Sequence, residues 1–112
     1  VIPGTVERFP EHAIDDDGRR LKIPHMGWNV VRRIRDHPLW HGLPADPWFY
    51  FVHSYRVLAA RREDVVGETD YGQPFASVIA RDSMFAMQCH PEKSAADGLR
   101  LLNNFLRWDG RW

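Results

Sequence analysis

The sequence has a single cysteine, Cys89, and no excess of charge of either sign. One cysteine excludes an internal disulfide and fits a reducing compartment, so we expect a cytoplasmic protein. The 15 basic and 15 acidic residues balance, which gives no general attraction to nucleic acid or to an anionic membrane. No apolar run approaches the ~20 residues that span a bilayer, and no signal-peptide pattern is present. We therefore expect neither nucleic acid nor membrane as a partner.

Low-complexity tracts, internal repeats and linkers are also missing, and the 112 residues are enough for one domain rather than two. The sequence opens on Val1 instead of methionine and runs directly into an apolar segment punctuated by Pro3 and Gly4. This start predicts a piece of a longer protein.

Several segments predict strands. Residues 21–31 alternate loosely around Pro24 and Gly27, as an edge or bulged strand does. Residues 48–58 are aromatic and β-branched on both faces, which predicts one central strand covered on both sides. Residues 75–80 and 84–88 predict a hairpin across residues 81–83.

Only the end of the sequence predicts a helix, with Ser94 as its N-cap. Apolar residues recur there at the spacing of one helix face, and two more widen the stripe: Ala95, Leu99, Leu102 and Leu106, with Leu101 and Phe105. Strands followed by one amphipathic helix indicate the strand-rich second half of a layered α/β domain.

The segment with candidate catalytic residues lies where the last predicted strand meets this helix. Side chains two apart on a strand point the same way, so His90 and Glu92 can share one side. A carboxylate beside an imidazole fixes its tautomer and stabilises the imidazolium, as in a nucleophile–base–orienter triad. His90 would be the general base and Glu92 its orienter. From spacing alone, a histidine and a glutamate in an ordinary loop is the commoner interpretation.

Cys89 adjoins His90 and suggests a Cys–His pair. Neighbouring strand residues point to opposite faces, however, and Cys89 aligns with Phe85 and Met87 on the apolar side. We therefore interpret Cys89 as a small core residue and expect any nucleophile to come from elsewhere.

The other histidines predict no metal site. His37 and His41 stand four apart, but Pro38 and the lack of a glutamate after His37 remove the zinc-protease pattern. We expect His12 to lie in an exposed loop and predict neither metal nor cofactor.

Three segments, in this order, closely resemble the glutamine amidotransferase subunits of imidazole glycerol phosphate synthases: residues 24–29 (PHMGWN), 50–55 (YFVHSY) and 90–94 (HPEKS). Shorter segments support the resemblance: residues 2–4, 8–10, 37–40, 69–72 and 98–105. The likeness covers nearly the whole sequence. Within the third segment, His90-Pro91-Glu92 alone is shared by all triad-type glutamine amidotransferases, and the first two segments point to the histidine-biosynthesis member.

The resemblance implies a flavodoxin-like class I domain with a Cys–His–Glu triad that hydrolyses glutamine and passes ammonia to a cyclase subunit with a (β/α)8 barrel. His90 and Glu92 match the base and orienter of that triad. Ser54 and Tyr55 match the positions that hold the amino-acid end of glutamine. The positions at or near the face toward the cyclase are Met26, Trp28, Asn29, Tyr50 and Lys93.

The resemblance also implies what residues 1–112 leave out. The nucleophile elbow and oxyanion segment of the family would lie upstream of Val1, so residues 1–112 would be the C-terminal part of the domain and inactive alone. Cys89 stands where the family usually has an aromatic residue. Two alternatives remain: a non-catalytic module that docks on a cyclase, and a related amidotransferase that serves another synthase.

Overall fold

The computed structural model describes residues 2–10, Ile14 and residues 18–112. His12, expected in an exposed loop, lies outside them. The strands in the described part are β1 (Gly4–Arg8), β2 (His25–Val30), β3 (Arg32–Arg33), β4 (Trp48–His53), β5 (Tyr55–Ala59), β6 (Val65–Tyr71), β7 (Gln73–Arg81) and β8 (Met84–Met87). The helix α1 spans Ala95–Arg107, and 3₁₀ turns span Pro38–Trp40, Arg62–Asp64 and Pro91–Lys93.

The strands form two sheets. The larger sheet has the order β1-β5-β7-β6-β3, with β8 also paired to β7, and the smaller sheet consists of β2 and β4. The pairings between these strands are antiparallel. The expected strand-rich α/β architecture with one terminal helix is therefore confirmed.

The prediction of one central strand over residues 48–58 is wrong. The segment breaks at Ser54 into β4, which pairs with β2, and β5, which pairs with β1 and β7. At Ser54 the chain leaves the smaller sheet and enters the larger one. The Ser54 carbonyl accepts a hydrogen bond from the Phe9 amide (3.0 Å) at this point. β4 is covered on one face only, because Trp48 and Val52 remain exposed.

The other strand predictions are confirmed. β2 lies within residues 21–31 and pairs with β4 alone in its sheet, as an edge strand does. β7 and β8 form the predicted hairpin, whose two-residue loop places Asp82 at a φ of 52°. Asp tolerates this left-handed conformation better than most side chains do. β1, β3 and β6 had no sequence prediction.

The core lies between the two sheets and beneath α1. Its largest buried side chains are aromatic: Trp40, Phe49, Phe51, Phe75 and Phe9. Phe49 and Phe51 alternate on β4 with the exposed Trp48 and Val52. The alternation fixes which face of the small sheet meets the core.

The helix is confirmed, but of the residues in its predicted apolar stripe only Leu101 is buried. α1 buries Gly98 and Leu101, whereas Leu99, Leu102, Phe105 and Leu106 are exposed. A Cβ at Gly98 would lie 1.9 Å from the Pro91 carbonyl oxygen, so close backbone contact sets the rotation of α1. Asn104 then donates to the Leu39 carbonyl (2.8 Å). Backbone and polar contacts therefore orient the helix together with the buried Leu101.

Candidate active site

His90 lies between β8 and the 3₁₀ turn Pro91–Lys93 and is fastened to β4 by its backbone. Its amide donates to the Tyr50 carbonyl (2.9 Å). Ser94 completes the connection, because its Oγ accepts from the Tyr50 amide (2.9 Å) and donates to the His90 carbonyl (2.6 Å). Ser94 occupies the predicted N-cap position of α1, but its side chain makes no capping bond there and anchors His90 instead.

The His90 and Glu92 side chains face each other. His90 Nδ1 lies 2.9 Å from Glu92 Oε1, and the two side chains are 38% and 56% exposed. A carboxylate accepts hydrogen bonds, so Nδ1 carries the hydrogen and the Nε2 lone pair of neutral His90 remains available. This arrangement can accept a proton at Nε2 and stabilise the resulting imidazolium.

The surroundings keep Glu92 ionised. Its own backbone amide lowers the pKa of the Glu92 carboxyl most, and burial opposes this effect. The His90 hydrogen bond and the charges of His90 and Lys93 lower the pKa further. Glu92 can therefore act as an anionic partner of the imidazole at neutral pH.

Cys89 points away from this pair. Its side chain is 4% exposed and belongs to the hydrophobic core. Burial raises the pKa of the Cys89 thiol well above its ordinary value. A buried thiol with a raised pKa supplies no thiolate, which agrees with the interpretation of Cys89 as a core residue.

Ser54 and Tyr55 occupy the break between β4 and β5. Ser54 is half-buried, and the Tyr55 side chain is 54% exposed. The Tyr55 carbonyl accepts a hydrogen bond from His53 Nδ1 at 2.7 Å. The break thus presents one small polar side chain and one exposed aromatic ring on a fixed backbone.

Two buried histidines behind this break are functional candidates that sequence reasoning missed. His25 on β2 and His53 on β4 are directly paired in register, and His25 Nδ1 lies 2.9 Å from His53 Nε2. Burial first, and then the neighbouring His53, lower the pKa of His25 to about 4. Burial also lowers the pKa of His53, and the charge of His90 lowers it further, against the Tyr55 hydrogen bond. The signal in the sequence that could have identified them is that His25 and His53 lie in the segments that resemble the family, residues 24–29 and 50–55.

The outward face of the β2–β4 sheet is an apolar surface. Met26 is 62% and Trp28 51% exposed, and the Trp28 ring lies edge-on to Tyr50 with 6.0 Å between ring centroids. Trp48 and Val52 extend this surface, although the sequence did not predict that they belong to it. We call these five residues the outer face.

Asn29 and Lys93 were also predicted near the cyclase, but they are not part of the outer face. Asn29 Nδ2 donates to the Asp70 carbonyl (2.9 Å) and lies 3.2 Å from His25 Nε2, so its amide is engaged inside the protein. Lys93 is exposed at the end of the 3₁₀ turn that carries Glu92.

The structure offers no metal site within the residues it describes, where no group of three metal-ligating side chains comes together. His37 Nδ1 accepts from the Leu39 amide (3.1 Å) as the cap of a 3₁₀ turn, and His41 is exposed. Across the same residues, no helix is long and apolar enough to cross a bilayer.

The described part of the chain is thus a strand-rich α/β domain in which an imidazole hydrogen-bonded to a carboxylate stands between the last strand and the helix. The profile of the glutamine amidotransferase class-I family matches residues 4–108. The chain belongs to this family.

The chain is also similar to curated proteins named imidazole glycerol phosphate synthase subunit HisH. It is 56% identical to the protein from Methylococcus capsulatus, over 97% of this chain and 51% of that protein. It is 52% identical to the protein from Pseudomonas putida, over 100% of this chain and 52% of that protein. The chain therefore spans about half the length of these relatives.

A solved structure supports the fold. A protein from Thermoplasma acidophilum, described as a subunit of GMP synthase, superposes with a TM-score of 0.67 at 16% identity. The match covers 93% of this chain and 47% of that protein. At this identity, the likeness concerns the fold alone.

Proposed function

We propose that residues 1–112 are the base-bearing part of the glutamine amidotransferase subunit of a cytoplasmic imidazole glycerol phosphate synthase. The enzyme hydrolyses glutamine to glutamate and ammonia, which a cyclase subunit uses in histidine biosynthesis. The observation that carries the proposal is the hydrogen bond between His90 and Glu92 inside the region that matches the family.

In this proposal, His90 Nε2 takes the proton of a cysteine thiol that residues 1–112 do not contain. The thiolate attacks the side-chain amide of glutamine, and the protonated His90 then returns the proton to the departing nitrogen, which leaves as ammonia. Water hydrolyses the thioester with His90 again acting as base, which releases glutamate and the thiol. Glu92 holds the imidazole in the Nδ1–H tautomer throughout.

Ser54 and Tyr55 hold the amino-acid end of glutamine. The break between β4 and β5 supports this role, because the backbone there is fixed on both sides by the Phe9 and His53 hydrogen bonds. A fixed backbone presents its polar groups to a ligand without a further ordering cost.

The outer face binds the cyclase, which is a (β/α)8 barrel, to form a heterodimer. Contiguous exposed aromatic and methionine side chains are enriched at such interfaces. Trp28 and Tyr50 lie at its centre, Met26 lies beside Val52 at one end, Asn29 lies at the rim, and Lys93 supplies a cation for an acidic group of the partner.

The proposal is tested by joining residues 1–112 to the half of the Methylococcus capsulatus relative that they do not match, placed upstream. We call this the joined protein. We expect it to release ammonia from glutamine in the presence of the cyclase subunit, whereas residues 1–112 alone release none.

The His90→Ala variant of the joined protein should lose activity by roughly 10⁶-fold, the loss measured when a triad base is removed. His41→Ala is the matched control, because His41 is exposed and stands outside the site. Full activity in His90→Ala, or none in the unaltered joined protein, would contradict the proposed function.

A second candidate function is a non-catalytic module that docks on a cyclase through the outer face. The buried Cys89 favours it, since the only thiol in the sequence cannot act as the nucleophile. Binding of the joined protein to the cyclase without any hydrolysis would support this function over the first.

A further inference from the structure

A continuous row of hydrogen bonds crosses from the rim of the outer face to the break at Ser54. It runs from Asn29 through His25 and His53 to the Tyr55 carbonyl. We propose that His25 and His53 are positioning residues, locked in one tautomeric arrangement, which hold this break in its glutamine-binding geometry. The consequence for glutamine rests on the proposed function, whereas the tautomers do not.

The direction of hydrogen-bond donation is fixed at the Tyr55 end of the row. A carbonyl oxygen only accepts, so His53 Nδ1, 2.7 Å away, carries the hydrogen. Neutral His53 then has a lone pair on Nε2. That nitrogen must accept from His25 Nδ1, at 2.9 Å, which therefore carries the hydrogen of the second ring.

The Asn29 end fixes the same direction independently. Asn29 Oδ1 accepts from the Val30 amide (2.7 Å) and Nδ2 donates to the Asp70 carbonyl (2.9 Å), which sets the orientation of the amide. Nδ2 also faces His25 Nε2 at 3.2 Å, so that nitrogen must be an acceptor. Both ends thus require the hydrogen on Nδ1 in both rings.

The surroundings exclude other arrangements. His25 is 3% and His53 8% exposed. The His25 ring stacks between Tyr71 and Phe51, with centroid distances of 3.9 and 4.9 Å, so it cannot turn over without disturbing the core. A second proton on either ring would place two donors face to face within the row, and burial disfavours that charge.

The row ends one residue from Ser54. The row begins at Asn29, which follows Trp28 in β2, and it ends at the Tyr55 carbonyl. Displacement of β2 at the outer face would therefore act on the break through two imidazole rings. The geometry connects the cyclase-facing strand with the glutamine-binding backbone.

The first experiment reads the tautomers directly. The joined protein is labelled with ¹⁵N-histidine, and the ring nitrogens are observed by two-dimensional NMR at pH 7. We expect His25 and His53 to be neutral with the hydrogen on Nδ1, the opposite of the Nε2–H form that free histidine favours. An Nε2–H tautomer or a charged ring at either position would overturn the proposal, whatever the activity of the joined protein.

The second experiment separates positioning from packing at His53. An asparagine amide nitrogen can replace Nδ1 and keep the donor to Tyr55, whereas a glutamine reaches the Nε2 position and loses that donor. We expect KM for glutamine to rise about fivefold or more in His53→Gln, the effect of about one hydrogen bond, with kcat little changed. In His53→Asn, KM for glutamine should rise less.

Packing alone predicts the reverse order, because glutamine is closer to histidine in size. Equal KM values in the two variants, or a larger rise in His53→Asn, would therefore overturn the positioning role. His41→Asn and His41→Gln are the matched controls and should leave KM unchanged. Absence of activity in the unaltered joined protein would count against the proposed function instead, and the NMR result would still decide the tautomers.

Discussion

His90 and His53 are both hydrogen-bonded histidines, yet their surroundings differ. His90 is bonded to a carboxylate and its side chain is 38% exposed, whereas His53 is 8% exposed and bonded to a second imidazole and a carbonyl. The carboxylate can stabilise a positive ring, whereas burial lowers the pKa of both rings in the buried row. The comparison teaches that one histidine is arranged to gain a proton and the other to keep a fixed tautomer.

Among the changes that test this comparison without removing His90 itself, the largest effect should come from removing the charge beside His90. In the joined protein, Glu92→Gln should lower kcat by about 10⁴-fold, as loss of the orienting carboxylate does in a comparable triad. The free energy of unfolding should change by less than about 0.5 kcal/mol, because the side chain is exposed. Glutamine hydrolysis and urea denaturation measure the two quantities.

Glu63→Gln serves as the control for that experiment, since Glu63 is exposed in another 3₁₀ turn. A loss of less than tenfold in Glu92→Gln would remove the distinction between the two histidines.

Acidification should affect the buried histidines. The folded-state pKa of His25 lies at about 4, below its ordinary value of 6.5. Between these pH values the unfolded chain binds more protons, so stability is present above pH 6.5 and is lost as pH falls toward 4. His25 alone should contribute about 3 kcal/mol to this loss.

Urea denaturation at pH 7, 6, 5 and 4.5 measures that loss before most carboxylates titrate. His25→Phe, which preserves a ring between Tyr71 and Phe51, should show a shallower pH dependence. An identical pH dependence in the variant would show that His25 is not held neutral.

A smaller effect is expected at the outer face. Trp28→Ala should weaken binding of the joined protein to the cyclase by about 2 kcal/mol, or roughly 30-fold, if Trp28 is a central anchor. Titration calorimetry measures the affinity. Val6→Ala on β1, 66% exposed before substitution, should leave the affinity unchanged. Equal affinities in the Trp28 and Val6 variants would reject the outer face as the cyclase-binding surface.

The smallest effect is expected at Cys89. Cys89→Ala should lower the free energy of unfolding by about 1 kcal/mol, because it removes a buried sulfur from the core. Turnover of the joined protein should stay within about twofold of the unaltered protein. A loss of turnover comparable to that of His90→Ala would show that Cys89 takes part in the chemistry.

The sequence predicted what local patterns encode. The prediction that Cys89 is buried and that His90 and Glu92 face each other is confirmed. The strand alternation from which it was argued does not extend that far, because β8 ends at Met87 and Glu92 lies in a 3₁₀ turn. The hairpin and the existence of the helix also followed from local apolar periodicity and turn residues.

The break at Ser54 and the rotation of α1 could not be predicted in this way. The break depends on hydrogen bonds to Phe9 and within the pair His53–Tyr55, and the rotation depends on the contact of Gly98 with Pro91. The row through His25 required the register of β2 against β4. These features arise from tertiary contacts that apolar periodicity does not report.

The central claim is that His90 serves a thiol located outside residues 1–112. The most direct measurement treats the joined protein with a diazoketone analogue of glutamine, which alkylates the attacking cysteine, and locates the adduct by peptide mass spectrometry. We expect the adduct on a cysteine outside these residues, with labelling slowed strongly by His90→Ala and unaffected by His41→Ala. An adduct on Cys89, or labelling that is indifferent to His90, would contradict the account.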